Sequence, residues 1–245
     1  MSLLTIVQSV ADLVGVARPS TVIDNGDRTA RQMLALLNRG GKNLAGIKNA
    51  WGGGWQILER EHVFNTVVDR AFYELPSDFG SLLGETIWNR ADFESVRGPG
   101  SPSLWQVLKS GLQTSPQIQE TYRIRRIDEA TSPVRQMFID PVPAAVEEHV
   151  FEYVTLNWIG NQGGTVFKAA FTADTDVPLF SENLLEQDLT WRFRKAKGLD
   201  YGADLAEFEV ERDRKIAAEV GATVSLARRR FRLPVPNTPQ TGFGE

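Results

Sequence analysis

Two histidines, His62 and His149, are the first candidates for acid–base or metal chemistry in this chain of 245 residues. Both fall in runs whose composition is typical of β-strands, and neither lies near a Ser or Asp motif that could form a catalytic relay. The sequence contains no cysteine, which excludes disulfides, thiolate zinc sites and thiol nucleophiles. We therefore predict that each histidine is a strand residue satisfied by a neighbouring group, and we predict no metal ligands.

Paired carboxylates are the next candidates, because a glycosidase needs only two acids. The obvious pairs are Glu147 with Glu148 and Asp174 with Asp176. Neither pair has neighbours that would keep one acid protonated, so each is predicted to be a solvated loop charge or a charge at the entry of a helix. The sequence also lacks the metalloprotease, phosphate-loop, dinucleotide-binding and nucleophile-elbow motifs. We expect no catalytic residues, no cofactor-binding residues and no enzymatic activity.

Basic residues cluster at 123–126, 192–197 and 228–232, in a chain whose net charge is −4. The second cluster falls at the predicted end of a helix, where cations suit the helix dipole without any ligand. The third opens an 18-residue C-terminal segment, RRRFRLPVPNTPQTGFGE, whose four arginines and one glutamate give it a charge of +3. Its three prolines and its lack of periodicity favour an extended, solvated backbone.

This C-terminal segment could dock on a protein groove or contact nucleic acid phosphates. Aromatic and aliphatic residues alternate with its arginines and prolines, and this pattern favours a protein partner. The predicted partner-binding residues are Arg228, Arg229, Arg230, Phe231, Arg232, Leu233 and Phe243.

The elements that position these residues follow from the apolar pattern. Apolar residues at three- and four-residue spacing predict two helices before residue 50 and two more after Ser181. Gly40 and Gly41 interrupt the second helix, which indicates either a break or the close approach of another backbone. A short helix is predicted to begin after Ser101. Strands are predicted at 56–68, 71–75, 85–90, 122–127, 135–140 and 149–158.

The predicted fold is therefore α+β. A helical bundle is expected from the N-terminal helices (1–50) and the C-terminal helices (176–222), with a β-rich antiparallel middle region (51–175) and an extended C-terminal tail (223–245). No apolar run approaches the roughly 20 residues that span a bilayer. The N-terminus lacks the basic start of a secretion signal.

Eight motifs between about residues 3 and 221 carry a family resemblance. In chain order they are TARQMLALLNRGGKNLA, FNTVVDRAFYELPSDFGSLLGETIWNR, GPGSPSLWQVLKSG, YRIR, MFIDPVPA, HVFEYVTLNWI, FTADTDVPLFSENLLEQDLTWRFRKAKGLDY and ADLAEFEVERDRKIA. Their order and spacing resemble the head-to-tail adaptor (connector or neck) proteins of short-tailed and related tailed bacteriophages. The GGGWQ stretch at 52–56 departs from the family pattern.

The resemblance implies a virion protein, assembled in the host cytoplasm, that forms a dodecameric ring beneath the portal protein. Such a ring extends the DNA channel, lets DNA pass without specific binding and provides a platform for the tail or nozzle protein. It implies no cofactor and no membrane contact. Docking on the portal would fall to residues 228–245, with Phe231 and Leu233 as anchors. Two other functions stay open: a tail-associated peptidoglycan hydrolase, and a DNA-binding protein that uses the Arg-rich tail with Arg123 and Arg125.

Overall fold

The computed structural model describes residues 2–47, 55–110, 120–127 and 134–220, and every structural statement below concerns these residues. They form five α-helices and eleven short strands arranged in three antiparallel sheets. The predicted C-terminal tail and its seven partner-binding residues lie outside the described residues: Arg228, Arg229, Arg230, Phe231, Arg232, Leu233 and Phe243.

The helices are α1 Leu3–Val14, α2 Arg28–Ala45, α3 Pro102–Lys109, α4 Glu182–Lys197 and α5 Gly202–Val220, with a 3-10 turn at Gln56–Leu58. The strands are β1 Glu59–Asn65, β2 Phe72–Glu74, β3 Phe79–Leu82, β4 Trp88–Asn89, β5 Glu94–Ser95, β6 Thr121–Ile127, β7 Val134–Asp140, β8 Glu148–Thr155, β9 Ile159–Gly160, β10 Phe167–Lys168 and β11 Val177–Pro178.

Helix ends lie where local chemistry predicts them. The Asp27 carboxylate accepts a hydrogen bond from the backbone N–H of Ala30 at 3.0 Å and so caps α2. The Ser101 hydroxyl does the same for α3 by accepting from the N–H of Leu104. Gly15 ends α1 in the left-handed conformation, with φ of 71°. These three predicted helix ends are confirmed.

The predicted helical bundle is wrong. Helices α1, α2 and α5 each pack against α4, but α1 and α2 make only slight contact with each other. The apolar stripes of these helices are covered by sheet and loop residues as well as by other helices. An apolar period shows which face of a helix is buried but not what buries it, so the sequence could not separate a bundle from this mixed core. The members of this core that lie outside the α-helices are Val22, Trp55, Leu58, Leu83, Val154, Trp158, Ile159, Phe171 and Phe180.

Gly40 and Gly41 lie inside an unbroken α2, so the predicted alternative of a helix break at these glycines is wrong. A Cβ atom on Gly40 would lie 1.8 Å from Oδ2 of Asp188, and one on Gly41 would lie 2.1 Å from Cη2 of Trp158. The alternative prediction, the close approach of another backbone, is also wrong, because the atoms closest to both glycines belong to side chains.

Strand β8 lies at the centre of the largest sheet, whose order is β1-β8-β4-β5, and it also pairs with β3. Val154 belongs to the core shared with the helices, whereas Phe151 and Tyr153 belong to a second core. Because alternate residues of a strand face opposite sides, β8 joins the two cores. The other sheets have the orders β2-β7-β6 and β10-β9-β11. No helix in the described part of the chain is long and apolar enough to cross a membrane.

Candidate functional site

The hairpin of β4 and β5 separates two hollows on the large sheet. Its turn is fixed by Asn89, whose Oδ1 accepts hydrogen bonds from the N–H groups of Ala91 and Asp92 at 2.9 and 3.2 Å. Phe93 follows in the left-handed conformation, with φ of 59°, and its side chain is 84% exposed. Such a conformation costs a non-glycine residue about 1–3 kcal/mol. The hairpin thus holds an aromatic ring in solvent at the expense of backbone strain.

The first hollow, the aromatic groove, has a volume of about 650 Å³. Trp88 and Phe93 are its large exposed apolar side chains. Three glutamates and one arginine stand around them, and Arg90 pairs with Glu61 at 3.1 Å. An aromatic centre with a polar rim is the usual composition of a protein-binding surface. The groove is lined by Glu61, Glu85, Thr86, Trp88, Asn89, Arg90, Phe93, Val150 and Glu152.

Four exposed valines form an apolar patch on the loops that flank β1 and β8. The two loops are joined by backbone hydrogen bonds from Thr66 to Glu147 at 2.9 Å and from Asp69 to Pro143 at 3.1 Å. Single exposed apolar residues are ordinary, but clustered ones mark contact surfaces. The valine patch consists of Val67, Val68, Val142 and Val146.

The second hollow, the acidic pocket, has a volume of about 340 Å³ and lies on the other side of the β4–β5 turn. Four carboxylates line it, from Asp92, Glu94, Glu120 and Glu147, and none of its lining residues within the described ranges is a lysine or arginine. Its remaining wall is formed by Asn89, Ser95, Val96, Pro141, Val142, Pro143 and Ala144. A cation is therefore the ligand that this pocket would attract.

His149 lies fully buried beneath the carboxylates of Glu120 and Glu147. Its Nε2 is 2.7 Å from Oε2 of Glu120, and its Nδ1 is 3.4 Å from the carbonyl oxygen of Glu147. Burial by itself lowers the pKa of His149, but the hydrogen bonds and charges of Glu120 and Glu147 together outweigh burial and raise this pKa above its ordinary value. The prediction that His149 is a strand residue satisfied by a neighbour is confirmed.

Glu147 departs from its predicted role as a solvated charge. It is half-buried, and its carboxylate accepts a hydrogen bond from Nδ2 of Asn89 at 2.7 Å. The sequence held a partial signal for this, because Glu147 and His149 are two residues apart and extended chain places such residues on one side. Glu120 lies 29 residues before His149, and no sequence pattern joined the two.

His62 is half-buried in β1, where its ring packs 5.1 Å from the ring of Phe151 and 6.0 Å from that of Phe64. Burial lowers the pKa of His62 despite the opposing charge of Asp78. These aromatic contacts make His62 a packing residue of the sheet.

Asp174 and Asp176 are structural carboxylates, and the prediction of a solvated pair is wrong. Asp176 is 1% exposed and accepts hydrogen bonds from the N–H groups of Thr172 and Ala173 and from Nζ of Lys168. Asp174 accepts from the N–H groups of the Val22–Ile23 loop at 3.0 and 2.9 Å. Both acids are occupied by fixed donors, which leaves neither free for glycosidase chemistry.

Replacing Asp176 by Asn is expected to lower the free energy of unfolding at pH 7 by about 2–3 kcal/mol, because it removes a charged acceptor from a buried network. Burial opposes ionisation, but the hydrogen bonds from Lys168 and the backbone lower the pKa of Asp176 below its ordinary value of 3.8. The stability contributed by this depressed pKa is present above pH 4 and is lost as the pH falls through the folded-state value.

Urea denaturation of the wild type and D176N at pH 7 and at progressively lower pH checks this expectation. The difference between the two proteins should shrink with falling pH. D213N, which removes an exposed surface carboxylate, is the control and should change stability by less than about 0.5 kcal/mol. A D176N effect that is small, or that grows in acid, would contradict the assignment.

The basic clusters are not equivalent in the structure. In cluster 192–197, Arg192 pairs with Asp188 one turn earlier in α4. Arg194 pairs with Asp204 and so connects α4 to α5. On β6, the Arg125 guanidinium lies 4.0 Å from the centre of the Phe138 ring. Neither arrangement requires a nucleic acid to explain it.

A further basic surface, which sequence reasoning missed, joins the start of α2 to the end of α4. Arg28, Arg31 and Lys197 line a shallow hollow of about 700 Å³ together with Gln32 and Ala196, and we call this surface the basic face. The sequence signal was available, because residues 28–58 contain no Asp or Glu.

Comparison with models of protein families and with curated proteins found no match to this chain.

Proposed function

We propose that this protein is a structural head-to-tail adaptor of a tailed bacteriophage, which forms a ring beneath the portal protein, extends the DNA channel and offers a platform to the tail protein. The observation that carries the proposal is the exposed aromatic groove with its strained Phe93. A solvent-exposed aromatic side chain on a hydrogen-bonded turn suits a central anchor of a protein interface. The motif order described above supports this role over other assembly roles.

The distribution of charge supports association between copies. In a closed ring each subunit uses two different surfaces, one for each neighbour. The aromatic groove and the basic face share no residue, and they differ in charge: three glutamates and Arg90 line the groove, whereas Arg28, Arg31 and Lys197 line the basic face. Opposite charges of this kind orient two copies before they dock. We infer that the groove of one copy receives the basic face of the next.

The remaining contacts of the proposed adaptor follow from the resemblance. Residues 228–245 would dock on the portal, the ring would contain twelve copies, and DNA would pass through without specific binding. A ring multiplies a weak contact of each tail by the number of copies, so even modest individual affinity gives stable attachment.

Native mass spectrometry of the full chain, alone and with isolated portal rings of the same phage, tests this function. The expected result is one complex that contains a portal ring and twelve copies of this protein. A chain that does not bind portal rings, or that binds them as single copies, would exclude the proposed ring.

Replacing Phe93 by Asn is expected to weaken ring assembly at least about tenfold without lowering the melting temperature. Asn tolerates the left-handed backbone better than Phe, so folding is preserved while the anchor is lost. The control is V210N, because Val210 on α5 is 70% exposed but lies outside the groove. Native mass spectrometry with portal rings measures assembly of both variants. Equal assembly by F93N and the wild type would show that the groove is not the contact between copies.

A further inference from the structure

We propose that Glu120, Glu147 and His149 bind a divalent transition-metal ion, such as Zn²⁺, at the base of the acidic pocket. The three side chains offer one nitrogen and two oxygen donors, and these ligand atoms all lie within 4.8 Å of one another. Imidazole nitrogen and carboxylate oxygen are both ligands that zinc accepts in proteins. The proposal does not depend on the adaptor function.

The orientation of His149 suits metal binding. Its Nδ1 faces the carbonyl oxygen of Glu147, so its Nε2 is directed at the carboxylates. A metal-binding histidine characteristically donates its second N–H to a carbonyl or carboxylate, which fixes the ring and leaves the other nitrogen for the ion. Because His149 is fully buried in β8, this orientation is held by packing.

The carboxylate of Glu147 is also held in place. Nδ2 of Asn89 donates to Oε2 of Glu147 at 2.7 Å and approaches Asp92 at 3.3 Å. The amide therefore connects the turn of the β4–β5 hairpin to the donor set. In metal sites such supporting hydrogen bonds orient the ligands and affect affinity strongly.

The spacing of the donors requires only a small adjustment. Tetrahedral ligands at about 2.0–2.1 Å from zinc lie roughly 3.3 Å from each other. The Nε2 of His149 and Oε2 of Glu120 are 2.7 Å apart, so this pair must separate by a fraction of an ångström. Glu120 directly precedes β6 and its side chain keeps 19% exposure, which gives its carboxylate room to move.

Charge and donor type select the kind of ion. Four carboxylates line the pocket, and no cationic side chain from the described part of the chain lines it, so a divalent cation offsets mutual repulsion. The imidazole donor favours zinc and similar transition metals over Ca²⁺ and Mg²⁺, which prefer oxygen ligands. The expected order of affinity is Zn²⁺ above Mn²⁺, with Ca²⁺ weakest.

Isothermal titration of the full chain, freed of metal with a chelator, tests the site with ZnCl₂, MnCl₂ and CaCl₂ in turn. The wild type is expected to bind one Zn²⁺ per chain. The substitutions E120Q and E147Q should each weaken Zn²⁺ binding at least tenfold, and N89A should weaken it about tenfold by releasing Glu147. E94Q is the matched control, because Glu94 lines the pocket outside the donor set, and it should bind within about threefold of the wild type.

Far-UV circular dichroism and melting temperatures confirm that each variant is folded. If E147Q does not fold, E147D keeps a carboxylate on a shorter side chain and should weaken binding by a smaller factor. The proposal is overturned by the absence of saturable Zn²⁺ binding to the wild type, by Zn²⁺ binding to E120Q and E147Q that is as tight as to the wild type, or by tighter binding of Ca²⁺ than of Zn²⁺. Any of these results would leave Glu120 and His149 as a hydrogen-bonded pair only.

Discussion

Deletion of residues 226–245 is expected to abolish joining of the protein to isolated portal rings while the melting temperature of the free chain stays within a few degrees of the wild type. The deleted segment has few apolar residues, three prolines and a surplus of positive charge, a composition that contributes little to a folded core. The segment would gain its binding energy, and incur the entropic cost of becoming ordered, only when it binds the partner. Sedimentation of the truncated chain with portal rings measures the loss.

Two variants of the full chain show what the tail contributes. The double substitution F231A/L233A removes the proposed apolar anchors and should lose most of the joining, whereas T238A is a neutral control within the same segment. Joining that survives the double substitution but disappears at high salt would assign the contact to the arginines instead. A truncated chain that joins portal rings normally would contradict the docking role of this segment.

Replacing Gly41 by Ala is the second change with a large expected effect. We expect this substitution to destabilise the protein, although helix propensity alone predicts that it is stabilising. Alanine inside a helix is ordinarily favoured over glycine by about 1 kcal/mol. Here its methyl group would lie 2.1 Å from Cη2 of Trp158, which is fully buried between the rings of Phe171 and Phe180. The indole N–H also donates to the carbonyl oxygen of Ala169 at 3.0 Å, so the ring cannot move away freely.

We expect G41A to lower the free energy of unfolding by about 3 kcal/mol, the upper part of the usual range for overpacking. Urea denaturation followed by circular dichroism measures this. The control is G46A at the end of α2, where the nearest atoms to a new Cβ are carbonyl oxygens at an ordinary 3.5 Å. G46A should be neutral or slightly stabilising. If G41A were as stable as the wild type, the close packing of α2 on Trp158 would be refuted.

The helices were largely predictable because their signals are local. A capping aspartate, a left-handed glycine and an apolar stripe each depend on residues within a few positions. The packing partners of the stripes were not predictable, and for this reason the bundle was wrong. The buried face of α4 lies in the same core as Trp158 and Phe180, which come from loops that carry no helical period. Strands of two to four residues, such as β5 and β9, are likewise too short to show alternation.

The acidic pocket was less predictable than the helices. Its donor set depends on the placement of Glu120 beside β8, and that placement follows from pairing within two different sheets. The burial of Asp176 was missed for a similar reason. A run of alternating acids resembles a solvated loop until its donors, Lys168 and the backbone of Thr172, are brought around it.

The start of α1 is hydrogen-bonded to the segment 174–176, which lies far along the chain. The N–H groups of Leu3 and Leu4 donate to the carbonyl oxygens of Asp176 and Asp174, and the Asp174 carboxylate holds the loop at Val22. During translation, α1 ends at Val14 and is therefore made 160 residues before Asp174, the first of these acceptors. The apolar stripe of α1 packs mainly on α4, which is made later still, so the growing chain exposes this stripe to chaperones, or to premature pairing with another nascent copy, until α4 has been made.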